Sequence, residues 1–141
     1  MEPLQQFIKT FNRLDKNNLA LLDQIYHHEI HFEDPAHTLD GIDSLKQYFS
    51  VLYENIQSIH FDFNTHLQSG SQAFMTWTMH YSHPRLAKGR PITVDGCSCL
   101  FFAPDGRVID HRDYFDLGAM VYEHIPVLGN IIQTIKKRLG S

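Results

Sequence analysis

The stretch His111-Arg112-Asp113-Tyr114-Phe115-Asp116 sets an imidazole and a carboxylate two residues apart. In an extended strand that spacing puts both on one face, roughly 7 Å apart by strand rise, close enough to couple through water or a ligand. Such a pair is equipped for acid–base chemistry, with Asp113 as general base and His111 as orienter or acid. Ile109 and Phe115 fall on the same face, and Asp110, Arg112 and Tyr114 on the other. An apolar–His–Asp–apolar row is costly as plain core, because an unpaired buried acid is disfavoured; it suits a cavity wall. The simpler alternative is an Asp113 hydrogen-bonded to a helix terminus or a tyrosine. Asp34 is a second candidate base, just before Pro35; its alternative is a turn acid that caps the following helix. His27, His28, His31 and His37 raise the question of metal. Steps of three residues in an extended segment do not gather donors on one side, so neither a metal nor any other cofactor is expected. Cys97 and Cys99 are too close for a disulfide framework.

The elements that must carry these residues follow from hydrophobic period. Leu4, Phe7, Ile8, Phe11 and Leu14 recur at helical spacing, and Asn17 and Asn18 can cap a second helix with Leu19, Leu22 and Ile25. A short strand from Glu29 ends at Asp34-Pro35. Gly41 turns the chain, and Asp43 or Ser44 can cap a third helix with Leu45, Tyr48, Phe49 and Leu52 on one face. The period then changes to two. Ile59, Phe61, Phe63 and Leu67 alternate with polar residues, and strands follow over Ala73–Ser82, Ile92–Phe102 and Val108–Asp116. Trp77, Met79 and Tyr81 share a strand face, as cavity lining or as ordinary core. The C-terminal stripe Leu128, Ile131, Ile132, Ile135 and Leu139 is expected to fold back over the domain, near the cavity mouth or the first helices. Helices followed by an antiparallel meander is the α+β pattern. A single domain over 1–141 is expected, with a helical tail at about 119–139.

The composition narrows the function. Of 141 residues, 43% are apolar and 20% charged, and 10 Phe, 6 Tyr and 1 Trp suffice to wall an apolar site. A net charge of −4, with no basic run beyond Lys136-Lys137-Arg138, argues against nucleic acid. The first residues lack a basic stretch followed by an apolar core, and no apolar run has membrane length, so a cytoplasmic protein with reduced thiols is expected.

Two motifs carry a family resemblance. His31 to His37 reads HFEDPAH and is followed by Gly41 and a helix bearing Tyr48-Phe49; it resembles the VEDP segment of ketosteroid isomerases. His111 to Asp116, HRDYFD, resembles the WRDYFD strand of limonene epoxide hydrolases. Both families share a fold with SnoaL-like polyketide cyclases and nuclear transport factor two. The resemblance implies a cone-like curved antiparallel sheet with N-terminal helices on its concave face, plus a C-terminal helix. It places Asp34 at the isomerases' proton-abstracting aspartate and Asp113 at the hydrolases' water-activating aspartate. Thr10 and Ser98 stand near the isomerases' oxyanion donors, and Trp77 and Met79 near the hydrolases' remaining Arg and Asp. What remains is similar to the SnoaL-like group, in which an acid and a histidine line an apolar cavity.

The candidate catalytic residues are therefore Asp34, Asp113 and His111; the candidate ligand-binding residues are Trp77, Met79, Tyr81, Phe115, Ser98 and Phe11. Two functions fit: a cofactor-independent isomerase, cyclase or hydrolase acting on a small apolar molecule, or a non-catalytic ligand-binding or protein-interaction module. A homodimer through the outer sheet face is expected, where Asp110, Arg112 and Tyr114 lie beside Thr93, Asp95, Cys97, Cys99 and Phe101; the C-terminal apolar stripe is the rival interface.

Overall fold

A computed structural model describes residues 2–124 and 128–140, the side chain of Tyr122 excepted; part of the expected tail, 125–127, lies outside them. Helix α1 (Pro3–Phe11) begins with a proline, whose missing N–H costs nothing in a first turn, and buries Leu4, Phe7 and Phe11. A 3-10 turn (Leu19–Leu21) leads into the short α2 (Leu22–Ile25). The expected asparagine cap is not made: Asn18 instead accepts the Asp15 N–H and donates to the Arg13 carbonyl. Strands β1 (Tyr26–Glu33) and β2 (Thr38–Asp40) precede α3 (Ile42–Asn55). The cap of α3 is Gly41 rather than Asp43 or Ser44. Its φ of 88° is open to glycine and resisted by side chains, so the chain turns one step earlier than polar caps suggest.

Strands β3 (Ser58–Ser69), β4 (Gln72–Ser82), β5 (Ile92–Phe102) and β6 (Val108–Phe115) form an antiparallel meander. The six strands run β2-β1-β6-β5-β4-β3 in a curved, unclosed sheet. Four of the five pairings are antiparallel; β1 joins the far side of β6 in parallel, the pairing a meander cannot anticipate.

Bulges account for two departures from strict alternation. An irregularity between Phe63 and Thr65 flips β3, so Ile59, Phe61 and Phe63 face the core while Leu67 is 70% exposed. A second, where Phe101 and Phe102 pair with Asp110 and Val108, skips Ile109; Val108 takes the buried place expected of it. The core lies between the sheet and α1 and α3, with Phe11 edge-on to Phe49 and Phe61 at 6.0 and 5.3 Å.

Beyond β6, α4 (Leu117–Met120) is capped by the Asp116 carboxylate, and α5 (Leu128–Leu139) follows. The apolar stripe of α5 does not fold over the core. Leu128, Ile131, Ile135 and Leu139 are exposed, and polar contacts hold the helix: Lys136 pairs with Asp116 at 2.5 Å and Glu123 at 2.8 Å. Gly129 permits the approach, since a Cβ there would lie 2.2 Å from the Glu123 carbonyl oxygen.

Gly96 shapes the middle of the sheet. It lies opposite Trp77 on one side and Phe115 on the other, and a Cβ on it would meet the indole at 2.1 Å. Gly96→Ala should therefore cost about 1–3 kcal/mol, the usual penalty of overpacking, and displace Trp77. Urea unfolding and a shifted tryptophan emission would show it; unchanged values for both would mean that the sheet tolerates a side chain there.

Candidate functional site

The β5–β6 register sets Ser98 directly opposite Asp113 and Leu100 opposite His111, while the parallel β1 pairing brings Phe32 beside His111. On this frame a chain of hydrogen bonds forms. The Trp77 indole N–H donates to Ser98 Oγ at 2.8 Å, and the Ser98 hydroxyl donates to Asp113 Oδ1. His111 Nε2 meets the same Oδ1 at 2.6 Å, and His111 Nδ1 meets the Tyr26 hydroxyl at 2.8 Å.

Chemistry fixes the polarity of this chain. Tyr26 is fully buried, and desolvation, with the nearby Asp113 charge second, pushes its hydroxyl well above the ordinary 10.0. The phenol therefore keeps its proton and donates a hydrogen bond to His111 Nδ1, which leaves the ring hydrogen on Nε2 to point at Asp113. Two donors thus converge on Oδ1 of Asp113. Its Oδ2 accepts nothing from any described residue. His111 and Asp113 side chains are 3% and 18% exposed.

Asp34 is placed differently, in the turn after β1, with its side chain 5% exposed. Its Oδ1 accepts from the backbone N–H of Ala36 and of His37 and meets His37 Nδ1, and its Oδ2 accepts from the Tyr48 hydroxyl at 3.1 Å. Burial first, then the charge of Asp34, raises the Tyr48 phenol. Asp34 is thus a turn acid that caps no helix, the cap of α3 being Gly41, and it also lines the cavity.

One cavity gathers Asp34, His111 and Asp113 with Phe11, Trp77, Met79, Tyr81 and Phe115. Its volume is about 70 Å³. Ser98 is not on that wall; it lines a smaller adjoining space with Phe7, Phe63 and Met75, behind Asp113. Tyr48, Phe32, Phe49 and Phe61 complete the aromatic wall. Sequence reasoning did not single out Tyr26 or Tyr48 for the site. The signal for Tyr48 was its place in the motif-bearing helix; Tyr26 left none, because only the parallel pairing brings it to His111. Among the described residues one group could offer a cation three ligands, His27, His28 and Glu29, whose donor atoms lie within 4.8 Å of one another. None of the three lines the cavity, and His31 and His37 are instead engaged by Asp40 and Asp34.

The sequence family described as the SnoaL-like domain matches residues 4–111, most of the chain. The chain belongs to this family. No curated protein sequence matches it. Solved structures share the fold of this SnoaL-like domain. An NTF2-like protein of unknown function from Burkholderia pseudomallei superposes with a TM-score of 0.75 at 16% identity, over 89% of this chain and 98% of that one. A candidate SnoaL-like polyketide cyclase from Shewanella denitrificans gives 0.71 at 19% identity, over 84% and 93%. An LEH-like epoxide hydrolase from M. tuberculosis gives 0.69 at 15% identity, over 84% and 85%.

The buried phenols make the SnoaL-like domain sensitive to alkali. Tyr53 and Tyr81 are pushed up to about 12 by burial, and Tyr26 and Tyr48 are raised as well. The unfolded chain releases these protons near pH 10 while the fold retains them, so their contribution is full below about pH 10 and is lost as pH rises toward the folded values. Tyr26→Phe should make that fall shallower. At neutral pH it should also cost about 1–3 kcal/mol, because His111 Nδ1 loses its donor inside the core. Denaturant titrations from about pH 8 to pH 11 measure both effects; stability flat across that range would contradict the assignment.

Proposed function

We propose that this SnoaL-like domain binds a small, largely apolar molecule in the cavity and moves a proton on it without a cofactor, Asp113 acting as general base. The asymmetry of Asp113 carries this reading. Its Oδ1 is saturated by Ser98 and His111, which fix the carboxylate, and its Oδ2 is uncommitted among the described residues. A general base needs a free lone pair in a fixed place within hydrogen-bond reach of its substrate. Asp34 lacks that freedom, since both its oxygens are engaged, so its part is to hold Tyr48. His111 is the orienter, its two nitrogens occupied by Tyr26 and Asp113. Trp77, Met79, Tyr81, Phe11 and Phe115 supply the apolar contacts, and isomerisation, cyclisation and hydrolysis all fit a single buried base.

One observation favours a second reading, a ligand-binding module without turnover. Every polar hydrogen on a described lining side chain is spoken for: Tyr48 donates to Asp34, Tyr81 to the Met120 carbonyl, and Trp77 to Ser98. A developing negative charge on the substrate would find no ready donor. Asp113→Asn separates the two readings. With a substrate that is turned over, it should lower kcat about a hundredfold or more and leave the fold intact. Full activity would reject Asp113 as the base, whereas tight binding with no turnover by the unaltered protein would establish the binding module.

The outer sheet face supports a homodimer. Phe74, Phe101 and Tyr114 are exposed there beside Thr93, Asp95, Cys97 and Cys99, and Arg112 stacks on Tyr114 at 5.0 Å. A mixed patch of this kind suits a two-fold contact. Light scattering at micromolar concentration should give twice 16.4 kDa; a monomer would dismiss the dimer.

A further inference from the structure

Among the described residues the cavity wall carries no lysine or arginine. Positive charge gathers instead in the loop after β4. Arg85, Lys88 and Arg90 line a surface depression with His124, and its opposite side is formed by Glu123 and the start of α5. None of those three cations makes an ion pair with a described carboxylate. The one acid in the depression, Glu123, is 10% exposed and is taken up by Lys136 at 2.8 Å and by the Gln133 amide. The depression therefore keeps uncompensated positive charge on a chain whose net charge is −4.

The loop backbone is committed to this arrangement. Ala87 and Lys88, with φ of 51° and 57°, are the two non-glycine residues at positive φ among those described, and Gly89 follows at 77°. Left-handed backbone at residues with side chains is disfavoured and persists only where its surroundings enforce it. Here Arg90 Nε donates to the Ala87 carbonyl at 3.1 Å, and the Gly89 N–H donates to Leu86 at 2.9 Å.

The depression is built from chain segments that continue from the cavity wall. Tyr81 and Met120 both line the cavity and are joined by the Tyr81 hydroxyl, and the depression is built from the segments that continue from each. Gln57, next to the cavity-lining Ile56, approaches Gly89 from the other side, 3.6 Å from where a Cβ would stand. A cluster of cations without ion-pair partners among the described residues thus lies within a few residues of the cavity-lining Tyr81, in a depression completed by residues that follow Met120.

We propose that the ligand is a soluble anionic amphiphile, its apolar body inside the aromatic walls and its phosphate or carboxylate end on Arg85, Lys88 and Arg90. This rests on reading the cavity as the ligand site. It adds that the ligand has a charged end, and that this end stays at the rim, where guanidinium and ammonium groups meet it without the cost of burial.

Trp77 is the single tryptophan and lines the cavity, so its fluorescence reports on the cavity wall. Titration with octyl phosphate and with 1-octanol at low salt should change its emission in both cases. Octyl phosphate should bind about tenfold more tightly, the size expected of a few solvent-exposed charge contacts, and added salt should erode the gain. The triple variant Arg85→Gln, Lys88→Gln, Arg90→Gln should bring octyl phosphate to the level of octanol and leave octanol unchanged. Equal affinities in the unaltered protein, or a gain that survives the triple variant, would overturn the proposal while the cavity reading stands. If neither probe alters Trp77 emission, the cavity reading itself falls and the proposal with it. Binding to phosphatidylglycerol vesicles that the triple variant abolishes, without any preference for octyl phosphate over octanol, would assign the cations to a membrane surface and overturn the soluble ligand.

Discussion

Asp113 is turned toward the helix-covered face of β6, where an unpaired carboxylate would cost several kcal/mol. The chain meets that requirement with side chains from four strands: Ser98 from β5, Trp77 from β4 through Ser98, His111 from β6 itself, and Tyr26 from β1 through His111. The two direct donors, Ser98 and His111, approach one oxygen. The result is a rigid carboxylate with one free edge, which a scattered set of donors would not produce.

The same economy shapes the wall. Trp77 can reach Ser98 because Gly96 leaves the room its indole crosses, and Phe115 closes on it at 6.1 Å from the other neighbouring strand. Phe32 and Phe7 pack against the His111 ring at 4.9 and 5.9 Å, so the imidazole is fixed by contacts on its faces as well as at its nitrogens. Asp34 answers a different need. It is consumed in holding the turn that ends β1 and in tethering Tyr48 of α3 to that turn. Two aspartates that look alike in the sequence thus differ by what each has left to offer.

Much of this was legible from periodicity. The faces of β4 and β5 followed their alternation closely, and the His111–Asp113 parity held because β6 is regular beyond Ile109. Leu67 and Ile109 take other places than alternation implies, because a bulge changes the facing of the strand across it and nothing in the residue types marks where it falls. The cap of α3 was hidden for a related reason: a glycine at positive φ serves as well as a side chain, and polar neighbours drew attention from it. Tyr26 was illegible in principle. Its partner is set by a parallel pairing between distant segments, and a lone tyrosine at a strand start carries no local signature of that pairing. The α5 stripe reads as a buried face, yet in the fold the polar pairs of Lys136 orient the helix.

The Tyr26–His111 hydrogen bond joins residues 85 apart in the chain, and the β1–β6 pairing that supports it is just as non-local. Closing so long a loop carries an entropic cost that must be met before the contact returns anything. The β3–β6 meander, built from neighbours in sequence, can assemble first, whereas β1 must wait for β6. During synthesis the phenol of Tyr26 leaves the ribosome long before the imidazole that will accept its hydrogen bond exists. Until then α1 and β1 present Phe7, Phe11, Ile30 and Phe32 without a sheet to cover them. The polar heart of the molecule is thus also its folding bottleneck, and the nascent N-terminal segment is the stretch that chaperones would be called on to shield.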